Sequence, residues 1–141
     1  GGADVLWLGL RDGLSATTGV ANTKYNNANA GIAVGDSAAA AADTQTDLQA
    51  TTAATNRYTK GMDATFPTHT TGTGTSTSLK IKFKATFSSS QANIVWNEWA
   101  IKNRVGQTAA LAGRMLNRKV ESLGTKTSAA TWAFTVTLSL A

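Results

Sequence analysis

Two stretches of this chain alternate apolar and polar residues without a break, and that alternation constrains the fold most. In residues 79–87, Leu79, Ile81, Phe83, Ala85 and Phe87 fall on one side, with Lys80, Lys82, Lys84 and Thr86 on the other. Residues 131–141 repeat the pattern, setting Trp132, Phe134, Val136, Leu138 and Leu140 against Ala133, Thr135, Thr137 and Ser139. A strand sends successive side chains to opposite faces, whereas a helix brings back every third or fourth residue. Both stretches therefore read as half-buried strands of an antiparallel sheet. Residues 31–34, 56–64, 93–102 and 115–120 are further strand candidates, bounded by Gly, Ser or Asn. The one helix candidate is the alanine run from Ala38 to Ala42, continued through Asp43 to Gln49. It is short enough to be marginal without tertiary support. Residues 68–78, almost all Thr, Ser and Gly, read as an exposed loop. The expected fold is all-β, an antiparallel sandwich of jelly-roll-like character with at most one short helix.

At 141 residues the chain fits one domain. Residues 1–28 read as an extended arm and residues 29–141 as the sandwich domain. The arm holds one apolar group, Val5, Leu6, Trp7, Leu8 and Leu10, followed by a stretch rich in Gly and Asn. Such a stretch is turn and extended-loop chemistry, unable to pack a core of its own. The apolar group either adds a strand to its own domain or is the candidate assembly interface, docking on a neighbouring subunit by strand addition with Trp7 as its anchor.

Composition narrows the function classes. Cysteine is absent, which removes disulfides, cysteine–zinc sites and thiol catalysis together. The 25 Ala, 23 Thr, 13 Gly and 10 Ser make up about half the chain, and only 15% is charged. An ordinary soluble domain carries about 25% charged residues. A surface of hydroxyls and methyls suits close packing against neighbours. The net charge of +5 raises nucleic acid as a partner, but the basic residues are scattered. Their one tight group, Lys80, Lys82 and Lys84, makes no footprint for a duplex. No run reaches the roughly 18 apolar residues of a membrane span, so no membrane partner is expected.

The chemical candidates are few. His69 is the single histidine and reads as a solvated loop residue. Asp36, Asp43 and Asp47 could offer oxygens to calcium, but their spacing matches no EF-hand loop. Gly124, Thr125, Lys126 and Thr127 fail the phosphate-loop pattern, which needs Gly and Lys adjacent. Glu98 stands between Trp96 and Trp99 and invites comparison with a catalytic acid raised by burial. A glycosidase needs a second carboxylate across a cleft, and the remaining glutamate is Glu121. The favoured reading makes Glu98 a structural ion pair with Arg104, Arg114 or Arg118, since a buried charge must be paired. No cofactor, metal or catalytic residue is expected.

The order of the segments carries a resemblance. "YNNANAGIAVGDS", "TQTDLQA", "LKIKFKATFSSSQANIVWNEWAIKN" and "MLNRKVESLGTKTSAATWAFTVTLSL" are together similar to small virion proteins from structural gene clusters of tailed bacteriophages. Phage tail-collar fibre domains share the pattern of a "VGD" turn, a Thr/Leu segment, a Phe-rich strand and an aromatic–Glu strand. The resemblance spans residues 25–141. It implies a non-enzymatic β-sandwich building block used in many copies. There is no fibre-like repeat and no collagen or coiled-coil heptad, which favours a compact capsid decoration, or cement, protein over a fibre shaft. The expected partners are the major capsid protein or other virion subunits, with self-association as a trimer or other homo-oligomer, in the virion. One alternative is a tail-collar, baseplate or fibre-base subunit. Another is a carbohydrate-binding module using Trp7, Trp96, Trp99 and Trp132 as sugar platforms.

Overall fold

The computed structural model describes residues 25–69, 80–103 and 115–139. Among them there are seven strands and no helix: β1 (Ala30–Gly35), β2 (Arg57–Gly61), β3 (Thr68–His69), β4 (Lys80–Phe87), β5 (Val95–Asn103), β6 (Met115–Thr125) and β7 (Trp132–Ser139). Four form one sheet, sheet A, in the order β2-β1-β5-β6; three form sheet B, in the order β3-β4-β7. Every described pairing is antiparallel. The fold is the all-β sandwich that the alternation calls for.

Sheet B follows the sequence pattern closely. The register sets Ile81 opposite Leu138, Phe83 opposite Val136, Ala85 opposite Phe134 and Phe87 opposite Trp132. The two apolar sets therefore share one face, and Lys82 and Lys84 share the other with Thr137 and Thr135. Sheet A departs from simple alternation, because β1 is buried on both faces. Ala30, Ile32 and Val34 join the core between the sheets; Ala33 packs with Leu48 and Ala100 in a second cluster behind sheet A.

Strand β5 resolves an arithmetic conflict. Trp96 and Trp99 both belong to the main core, yet an odd spacing would put them on opposite faces of a regular strand. The pairing of β5 with β6 shifts between Trp96 and Glu98, where Asn97 alone of β5 stands against Glu121, Ser122 and Leu123 of β6, an irregularity that breaks the alternation. Both indoles then face inward, and Glu98 faces out behind the sheet. Edge-to-face contacts run from Tyr58 to Phe87, Trp96 and Trp132, and from Phe134 to both Trp96 and Trp99. The indole nitrogens are satisfied: Trp96 donates to the Ala92 carbonyl at 2.9 Å and Trp99 to Glu121 at 3.1 Å.

Three expectations are corrected. The alanine tract and its continuation form no helix, because the backbone there is recruited by side chains of the segment itself and of sheet A, as described below. His69 is not solvated: it lies in β3 opposite Ile81 and is 4% exposed. Tyr25, inside the segment read as an arm, is buried in the main core.

Removing a fully buried ring loses its transfer energy and leaves a cavity. Phe83→Ala should cost about 3–5 kcal/mol in a denaturant melt. Phe134→Ala, on a half-buried ring, should cost less than Phe83→Ala. The reverse order would contradict this register.

Candidate functional site

The outward face of β1 carries Gly31, Ala33 and Gly35, all small. Small side chains let another segment approach closely, and residues 36–56 do so, crossing behind sheet A as a strap. The strap is held by charge. Glu98, 0% exposed, receives four donors on its two oxygens. Oε1 accepts from the Gln49 amide and from Arg118 Nε, both at 2.8 Å. Oε2 accepts from the Ala50 amide at 2.9 Å and the Ser37 amide at 3.2 Å. A carboxylate offers about four lone-pair sites, so Glu98 is saturated. Within the stretch expected to be helical, the amides of Ala39, Ala42, Leu48 and Gln49 go to side-chain oxygens of Ser37, Gln45, Asp47 and Glu98, which leaves them unavailable for helical bonds to earlier carbonyls.

Arg118 reaches under the strap from β6. Its remaining nitrogens donate to Gln45 Oε1 at 3.0 Å and the Ala39 carbonyl at 2.9 Å. A second centre forms around Asp47, which accepts from Arg57 at 2.9 Å and Lys102 at 2.7 Å. Arg57 also donates to the carbonyls of Leu48 and Ala50, while its Nε is a buried nitrogen without a partner. Three cations thus serve two carboxylates, with strap carbonyls taking up the surplus donors. Burial disfavours the charged form of Asp47. The hydrogen bond and charge of Lys102, with the Leu48 amide and Arg57, outweigh it and hold the carboxyl below its ordinary 3.8.

The other sequence candidates separate in space. Glu98 shares a face with Arg118, whereas Glu121 bonds Trp99 on the core side, so the two glutamates lie on opposite faces of sheet A. Asp47 is taken by Arg57 and Lys102, and Asp36 by Asn56 at 2.8 Å. Among the described residues no group of three His, Asp or Glu converges as a metal site would require. Lys126 turns inward, 1% exposed, and donates to the Ser88 carbonyl at 2.6 Å and Asn93 Oδ1 at 2.8 Å. Burial holds its ammonium below the ordinary 10.5. Val5, Leu6, Trp7, Leu8 and Leu10 lie outside the described residues, as do Arg104 and Arg114.

Among the described residues, the outward face of sheet B is rich in small and hydroxyl side chains. Sheet B presents Lys80, Lys82 and a row of Ala133, Thr135, Thr137 and Ser139, all exposed. Between β6 and β7 an open groove of about 370 Å³ is lined by Trp96, Leu123, Thr131, Trp132, Ala133 and Phe134. Asp47, Arg57 and Lys102 as strap anchors are absent from the sequence reading. Their separation along the chain gives no local motif, and the row of small residues on β1 is the one clue to a covering segment. No family model, characterised protein or solved structure matches this chain.

Two predictions follow from the strap. Glu98→Gln breaks a buried pair and should cost about 3–5 kcal/mol. A Cβ on Gly35 would sit 2.6 Å from Glu98 Oε2 and 2.9 Å from the Ala50 Cβ, so Gly35→Ala should cost about 1–3 kcal/mol by overpacking. Both changes strike one clamp, so the double variant should lose less than the sum; strict additivity in urea melts would count against it. The second concerns acid. Because the folded carboxyl of Asp47 is depressed, its contribution is complete above about pH 3.8 and lost as pH falls through the lower folded value. Thermal melts should show this loss, and Asp47→Asn, already destabilised, should show a shallower acid decline.

Proposed function

We propose that this chain is a non-enzymatic virion structural protein that docks in many copies on a phage capsid surface and stabilises it. The observation that carries the reading is where the charge goes. The carboxylate between the tryptophans, which sequence alone leaves open to catalysis, is saturated by three strap amides and an arginine. Its geometry is that of a fastener. The faces turned outward are strands of Thr, Ser, Ala and Lys, suited to lying against another protein. The segment order, which resembles that of small virion proteins, fits the same reading. The mechanism is mass action: a ligand that binds the assembled lattice and not its separated subunits stabilises the lattice.

Purified chain added to capsids that lack it should bind saturably, in numbers that scale with the lattice subunits, and raise the temperature at which particles rupture. Binding limited to a few copies at the tail would transfer the protein to a tail-collar or baseplate role. No binding, with soluble glycans retained on an affinity matrix instead, would favour the carbohydrate-binding reading.

A further inference from the structure

The described sheets have four edge strands, and three of them carry a recognised guard against pairing with other chains. Natural edges are blunted by charge or by shortness. β2 carries Arg57 and Lys60, β6 carries Arg118, Lys119 and Glu121, and β3 is two residues long. β7 is different. Its eight residues, Trp132–Ser139, include no charge, no proline and no glycine. Among the described residues it pairs with β4 on one side and with nothing on the other. Along that open side runs the apolar groove, with Leu123 of β6 facing Trp132, Ala133 and Phe134 of β7. Its volume of about 370 Å³ lies in the range of about 300–1,000 Å³ typical of ligand pockets.

We propose that the open edge of β7 and its groove receive residues 5–10 of a second copy of this chain as an added strand. The inference rests on the many-copy assembly proposed above and names the contact between copies. The occupant is chosen by chemistry and reach. Val5, Leu6, Trp7, Leu8 and Leu10 form an uncharged apolar run that matches an uncharged edge. Strand addition supplies main-chain bonds, and a side chain in a neighbouring pocket supplies selectivity; Trp7 is the anchor for the groove. Leu10 stands 15 positions before Tyr25, the first described residue. That length spans up to about 50 Å when extended, enough to reach a neighbouring subunit.

The absence of native cysteine makes the test clean. Full-length chains carrying Val5→Cys, Leu8→Cys or Leu10→Cys are mixed with chains carrying Thr135→Cys or Thr137→Cys, both at exposed positions. Under mild oxidation at least one mixture should form a disulfide between the two kinds of chain. It should form about tenfold or more faster than with Thr52→Cys, on the exposed strap, as the partner. Such a bond can join only separate molecules. Closure within one molecule carrying both cysteines, without cross-linking in the mixtures, would overturn the proposal, and so would no cross-linking in either. Saturation of the capsid lattice by a chain that fails to cross-link would sink the strand addition alone. Failure of lattice binding as well would sink the many-copy reading with it.

Discussion

The structure turns on one buried carboxylate. Glu98 stands on the back of sheet A, where a sheet of this size would ordinarily meet water. It converts that face into an interior by gathering Ser37, Gln49, Ala50 and Arg118 around it. A buried ion is costly unless its partners are well placed, and replacing such a pair with apolar residues is often no loss of stability. What the ion offers is direction. Leucine in its place could bury area, but it could not specify which strap amides lie against the sheet. Asp47 repeats the device nearby by holding Arg57 and Lys102 under the same strap.

The irregular pairing of β5 with β6 couples this clamp to the main core. It lets Trp96 and Trp99 both pack between the sheets while Glu98 points the other way. A regular strand would have to expose one indole or turn the carboxylate inward. The same few residues thus set the aromatic packing on one face and the strap on the other. Gly35 completes the arrangement directly across the ladder from Glu98, where any side chain would occupy the space of a carboxylate oxygen.

The sheets were legible where burial is one-sided. β4 and β7 each have a wet face, so polarity marks the register residue by residue, and their pairing joins the two apolar sets. Legibility fails where both faces are covered. β1, as Ala-Gly-Ile-Ala-Val-Gly, shows small and branched residues but no polar face to orient it. The strap is opaque for a related reason. Its conformation is imposed by side chains 48 to 61 residues away in sequence, and local propensity cannot register such partners. His69 illustrates the same limit: a Thr/Gly-rich neighbourhood suggests solvent, yet two residues paired with β4 suffice to bury it.

The division of charge follows from these constraints. Only 15% of the chain is charged, and part of that charge is consumed inside: Glu98, Arg57 and Lys102 are at most 2% exposed, and the Arg118 side chain is 2% exposed. Spending charge on the strap leaves less for the surface. A monomer that must avoid its own kind needs charge at its sheet edges more than anywhere else. Here β6 keeps its guard, and part of that guard is the same Arg118 that fastens the strap. β7, pairing with β4 and facing no carboxylate of the strap, has no internal use for charge and carries none at its edge. A sequence that placed a lysine in β7 could have closed that edge at little cost to the core, since Ala133, Thr135, Thr137 and Ser139 all point outward. Among the described residues that edge is unpaired, which is the feature the proposed contact between copies uses.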